Sequence, residues 1–234
     1  MSCFIHNMKC WICNNEANSG EHLIKASDLK SVFGNITQKF PLFLHSEQRR
    51  NQPIPGVKSN KLKYNARLCA NCNNKLTQRH DLAWEKLSNY LRNRQPHIKP
   101  KMLIRLNRTF PGSVSKSMLA VHLYFLKLFG CLITENDVPI NIDQFAQSIL
   151  RGIPHPKVWL AFRTGLQHPN IKHVGCSHVE TVQLGGRVVF ASWFYVIDKL
   201  AINVMYSEPG EHRRGLVDAW HPSHIGKHIR ISSQ

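Results

Sequence analysis

Acidic side chains are scarce: 14 Asp and Glu stand against 31 Lys and Arg, a formal charge of +17 at pH 7. A chain that handles small neutral metabolites has no use for that excess. A chain that binds a polyanion does, because each cation set on a phosphate releases a condensed counterion. Long apolar runs are also missing. The most apolar stretch, residues 118–132, is interrupted by Lys127 and contains His122, which argues against a membrane span. The first residues show no basic segment followed by an apolar one, so no secretion signal is expected. There is no Pro/Ser-rich tract, and 42% apolar against 19% charged residues suits a packed core rather than a disordered chain. Seven cysteines are an odd number for a disulfide framework, and four of them form two C-x-x-C pairs. Without an export signal, that spacing reads as metal binding in a reducing, cytoplasmic compartment.

A length of 234 residues allows one large domain or two small ones. The charge divides unevenly, with a net of +13 in residues 1–110 and +4 in residues 111–234. Pro96, Pro100 and the Pro111-Gly112 turn mark the junction. The first half reads as a basic loop over residues 30–64, with a short helix near residues 27–33, and then a helix running on from Cys69 toward Gln95. The apolar residues Leu76, Ala83, Leu87, Tyr90 and Leu91 give that helix its spacing. The second half predicts helices over residues 115–129 and 142–150, each closed by a glycine. Strands are predicted over residues 158–162, 173–184, 187–197 and 200–206, two of them joined at Gly185-Gly186. The expected class is α+β: a zinc-stapled unit, followed by an α+β unit of two helices on an antiparallel sheet.

Cys10, Cys13, Cys69 and Cys72 supply four thiolates, the ligand set of a tetrahedral structural Zn²⁺. The 55 residues between the pairs cost little, since loop-closure entropy grows only logarithmically. Such a site is closed, so the chemistry must come from what it holds in place. Glu21-His22 follows the first pair by eight residues, and Asn73 directly follows the second. One ion holding both pairs brings these together. A carboxylate and an amide oxygen suit Mg²⁺ or Mn²⁺. A neighbouring imidazole is suited to take a proton from water at neutral pH.

The run Cys10-x-x-Cys13, Glu21-His22, Asn65, Leu68-Cys69-x-x-Cys72-Asn73 resembles the zinc-stapled branch of the HNH endonucleases, the ββα-metal fold. The resemblance covers about residues 9–91. It implies a metal-dependent phosphodiester hydrolase acting on DNA, with RNA as the second candidate. His22 would be the general base, and Glu21 and Asn73 would hold the divalent cation. Asn65 would brace the histidine loop, with Asn60 or Asn74 as substitutes. It further implies a bacterial or phage setting, in restriction, defence or mobile elements.

Lys25, Lys63, Arg67, Lys75 and Arg79 are the leading phosphate contacts in the basic half. The rival reading is a zinc-ribbon nucleic-acid-binding protein without hydrolytic activity, which needs the knuckles and the charge but not Glu21, His22 and Asn73 together. A third is a zinc-stabilised interaction module whose charge serves protein partners; residues 111–234 are open to substrate positioning, homodimerisation or partner binding. His80 is expected as a solvated helix residue, and Trp193 and Tyr195 as strand core.

Overall fold

The computed structural model describes residues 8–47, 49–65, 68–94, 97–164, 172–224 and 227–232. Mixed helix and sheet are arranged around one helix, α3 (Val114–Glu135), whose residues are buried on nearly every side. It is long and apolar enough to cross a membrane by length and composition, but 83% of its most apolar window lies inside the protein. A helix apolar all round belongs at the centre of a core.

The second half forms the sheet. β4 (Val158–Thr164), β8 (Leu200–Ser207) and β7 (Arg187–Ile197) are antiparallel neighbours, and both β5 (Val174–Cys176) and β6 (Glu180–Leu184) pair with β7. β8 lies between two strands and is buried at every position. The 187–197 strand matches its expected span. Gly185 and Gly186 have φ of 56° and 75°, the left-handed pair that a two-residue hairpin turn needs. α4 (Ile142–Arg151) is capped by the Asn141 side chain, which accepts from the Asp143 N–H, and closes at Gly152 in the left-handed conformation. Phe129 of α3 stacks on Trp193, and Phe145 of α4 on Tyr206, so both helices lie on the sheet.

In the first half, α1 (Ala26–Phe33) is followed by a hairpin of β1 (Leu42–Leu44) and β2 (Gln52–Ile54). After Cys69 the chain makes a π-helical segment, Asn71–Leu76, before α2 (Gln78–Asn93). α2 turns Trp84, Leu87 and Leu91 into the core and packs on α3. The Pro111-Gly112 turn leads into α3, and one hydrophobic cluster runs from Cys10 to Ile231 without interruption across it. The C-terminal β9 (His228–Arg230) returns to pair with β3 (Leu103–Arg105).

Three expectations are corrected. The basic stretch over residues 30–64 contains the β1–β2 hairpin rather than loop alone. The helix expected to stop at Gly130 runs on to Glu135, because Gly130 faces the Trp11 indole and serves close packing instead of termination. His80 is fully buried rather than solvated.

Candidate functional site

The four sulfurs of Cys10, Cys13, Cys69 and Cys72 lie within 4.8 Å of one another. The Cys13 and Cys69 Sγ atoms are 3.6 Å apart. A tetrahedral ion with Zn–S bonds of about 2.3 Å has ligand–ligand edges of about 3.8 Å. The cluster therefore fits a single structural metal such as zinc. The first knuckle is closed by local bonds, the Cys10 N–H to Asn15 O at 2.7 Å and the Asn14 N–H to Cys10 O at 2.8 Å. In the second, the Cys72 N–H donates to Cys69 Sγ at 3.3 Å.

Between the knuckles, two antiparallel bridges, Ser19 with Leu68 and His22 with Lys63, join the segment bearing Glu21-His22 to the segment leading into Cys69. The Tyr64 N–H donates to Glu21 O, and the Leu23 N–H to Leu62 O, both at 2.8 Å. Gly20 allows the close approach, since a Cβ there would sit 3.2 Å from Tyr64 O. The π-helical segment then follows the second knuckle and carries Asn73. Glu21, His22, Lys25, Asn73, Asn74, Asp81 and Lys127 all line one cavity of about 210 Å³.

Several of the side chains in this cavity are held by polar contacts. Asn73 Nδ2 donates to Ser19 Oγ at 2.9 Å and to Gly20 O at 3.3 Å, which leaves Oδ1 as its remaining acceptor. Lys127 projects from α3 with only 1% of its side chain exposed; its Nζ lies 2.7 Å from Glu21 Oε2 and 3.2 Å from Asp81 Oδ1. Burial works against its charge, but Glu21 and Asp81 outweigh burial and hold its pKa above the ordinary lysine value. His22 is half-buried as a residue, but its Nε2 is itself shielded from solvent and has no hydrogen-bond partner among the described residues. Burial lowers its pKa, Glu21 opposes the shift, and Lys63 and Lys127 add to it, so the ring is neutral at pH 7.

Beneath the cavity a buried network fixes the segment that carries it. Asp28 Oδ2 accepts from the Trp84 indole at 2.9 Å and from the Tyr195 hydroxyl at 2.8 Å, and Oδ1 accepts from Ser88 at 3.3 Å. The Lys25 N–H donates to the Tyr195 oxygen at 3.0 Å. One carboxylate thus ties α1, α2 and β7 directly below residues 21–27. Tyr195 is core, as expected, but also carries this polar contact.

Of the residues singled out by sequence, Glu21, His22, Asn73 and Lys25 meet at the cavity. Asn65 does not: it is exposed, and its main-chain and side-chain N–H groups reach the Glu135 carboxylate at 3.1 and 3.4 Å. Its expected bracing of the histidine loop has no counterpart in these contacts. Asn60 is exposed on a short 3₁₀ turn, whereas Asn74 lines the cavity. Lys63 is half-buried beside Gly20, while Lys75 and Arg79 are exposed. Lys25 also pairs with Glu85 at 3.4 Å. Arg67 lies outside the described residues. Sequence reasoning missed Asp81 and Lys127. The signal for Lys127 was present: a lone lysine inside an apolar helical run must find a partner when buried. No protein-family model, curated protein or solved structure matches the chain.

Proposed function

We propose that the protein is a metal-dependent endonuclease with an HNH-type site, hydrolysing phosphodiester bonds in DNA. The observation that carries this reading is the meeting of Glu21, His22 and Asn73 at one cavity beside the four-cysteine cluster. Paired segments with His22 on one of them, followed by a helical segment bearing Asn73, support a ββα-metal arrangement stapled by zinc. The donor chemistry suits a hard divalent cation. Asn73 keeps Oδ1 free once Nδ2 is engaged, and Glu21 keeps Oε1 once Lys127 takes Oε2. Glu21 and Asn73 would hold Mg²⁺ or Mn²⁺, which when bound would supply positive charge to the phosphate and the departing 3′-oxygen.

The chain's own residues do the rest. Neutral His22 accepts a proton from a water molecule as its oxygen bonds to phosphorus. The phosphorus–O3′ bond breaks and the departing oxygen takes a proton from solvent water, leaving 5′-phosphate and 3′-hydroxyl ends. Lys25 and Lys63 flank the histidine and would hold the phosphodiester there by charge. Asp28 and Tyr195 keep the 21–27 segment fixed while this happens.

The test is incubation of the zinc-loaded protein with supercoiled plasmid and Mg²⁺ or Mn²⁺, beside His22→Ala. Wild type is expected to nick or linearise the plasmid. The variant should keep its zinc and its DNA affinity and lose cleavage by about 100-fold or more, the scale of a lost general base. Equal activity in the two proteins removes His22 from the mechanism. One observation favours the rival, a zinc-dependent nucleic-acid-binding protein: Glu21 is already satisfied by Lys127 as an ion pair would be in a purely structural role. Salt-sensitive binding without cleavage would support that rival.

A further inference from the structure

We infer that the β1–β2 hairpin is a nucleic-acid-docking arm that stacks on unpaired bases and directs the site toward single-stranded DNA. The inference rests on the nucleic-acid reading above, but not on hydrolysis.

The arm is inserted between the two bridged segments of the site, and its base adjoins the cavity. Ile54 is buried in the core, and the main chain at Val57 abuts the His22 ring, where it favours the charged form. Residues 31–64 carry Lys39, Arg49, Arg50, Lys58, Lys61 and Lys63, with Glu47 as the single acidic residue. Of these cations, all but Lys63 are exposed.

The outward face of the ribbon is apolar. Strand alternation points Leu42 and Leu44 toward the core and Phe43 away from it, and Phe43 lies opposite Pro53, which is also exposed. Phe40 just before β1 is 76% exposed and Phe43 is 56% exposed. Phe40 is held rather than loose, for its N–H donates to both Thr37 O and Thr37 Oγ1. The tip is closed by Ser46, whose N–H donates to Arg49 O at 2.8 Å.

Charge selects a polyanion, and the two phenyl rings select its form. Neither Phe43 nor Pro53 carries a side-chain donor or acceptor, so this face cannot read base edges in a duplex groove. A phenyl ring stacks on any exposed base, and aromatic rings among cations are the recurring platform for single strands. Inserting the same rings into a duplex first costs the unstacking of a base step, a cost that an unpaired strand does not carry.

The experiment measures fluorescence anisotropy of the zinc-loaded protein with a labelled single-stranded oligonucleotide and with the same sequence as a duplex, without added Mg²⁺. The single strand should bind about tenfold tighter or more. Phe40→Ala and Phe43→Ala should each weaken single-strand binding by roughly tenfold, the scale of one lost stack, and leave duplex binding nearly unchanged. Arg49→Gln with Arg50→Gln should reduce the slope of log K against log salt by about 1.4 for the single strand. All four positions are exposed, and circular dichroism checks that the variants remain folded. Equal affinity for both forms, wild-type binding by the phenylalanine variants, or no binding to any nucleic acid overturns the inference. Intact arm-dependent binding with no cleavage of either plasmid or single-stranded DNA in Mg²⁺ or Mn²⁺ overturns only the nuclease reading.

Discussion

Lys127 shows what one residue can decide at this site. A buried ammonium needs a carboxylate partner, and two carboxylates this close are held together only by the charge between them. Lys127→Met keeps the length of the side chain and removes its charge, leaving Glu21 and Asp81 to face each other across the cavity. The expected loss is about 3 kcal/mol in urea denaturation, at the low end for a broken buried pair because Asp81 is partly exposed. Adding Glu21→Gln should recover part of that loss, and the double-mutant cycle isolates the coupling. A neutral Lys127→Met would show that the ammonium does not hold the cavity together. The rest of the site was unevenly legible. Glu21, His22 and Asn73 could be found because they stand at fixed distances from the cysteine pairs, and a shared metal turns sequence spacing into spatial proximity. Lys127 and Asp81 come from helices whose mutual docking no spacing records. Asn65 misled because the segment between His22 and Cys69 holds a hairpin, so its position relative to the histidine was not fixed by counting from the knuckle.

Among the elements, α3 connects the halves, and Gly130 is where the first knuckle rests on it. A Cβ at position 130 would come within 2.4 Å of Trp11 Cη2 and 2.7 Å of Cζ2. Two effects oppose each other in Gly130→Ala. Helix propensity favours alanine by about 1 kcal/mol. The overlap is with a ring whose backbone lies between Cys10 and Cys13, so it cannot move freely once a metal is held, and overpacking of this kind costs about 1–3 kcal/mol. The clash is expected to win, lowering the melting temperature while zinc content stays at one equivalent. A stabilised Gly130→Ala would show that the knuckle does not rest on α3. The element scale also explains the uneven reading of the strands and helices. β7 and α4 carry their own boundaries, the paired glycines before one and the Asn141 cap and Gly152 of the other. The end of α3 does not, because a glycine selected for close packing looks in sequence like a glycine selected to stop a helix. The pairing of β3 with β9 joins segments more than a hundred residues apart, and three-residue strands carry too little alternation to announce a partner.

Across the whole molecule, a buried histidine cluster ties α3, the link after α4 and the C-terminal segment into the same core, and it sets how the fold answers to acid. His122 Nε2 accepts from the His155 N–H at 3.2 Å, and His155 Nδ1 accepts from the Lys157 N–H at 3.2 Å. His221 Nε2 meets His155 O at 2.9 Å, so it is the donor, and its Nδ1 is left to accept from the Ser223 N–H at 3.1 Å. All three rings therefore serve as acceptors, a role open only to neutral imidazole. Burial lowers all three pKa values, taking His122 well below the ordinary histidine value and His155 to about 4; the neighbouring Lys157 and His221 also disfavour charge on His155, and Glu208 opposes them. Each folded-state pKa lies below the unfolded value near 6.5, so the unfolded chain takes up protons first as pH falls. The stabilisation is complete above about pH 6.5 and is lost progressively toward pH 4. His155 alone accounts for about 2–3 kcal/mol of that loss by pH 4.5. His155→Asn keeps an acceptor for the Lys157 N–H and does not titrate in this range. Urea denaturation at pH 7.5 and pH 4.5 should show a drop in stability for wild type that is smaller by about 2 kcal/mol in the variant. The difference between the two pH values, rather than the level at either, is the quantity that tests the cluster, because thiol protonation at the metal centre weakens both proteins alike in acid. Equal pH dependence in the two proteins would remove His155 from the acid response.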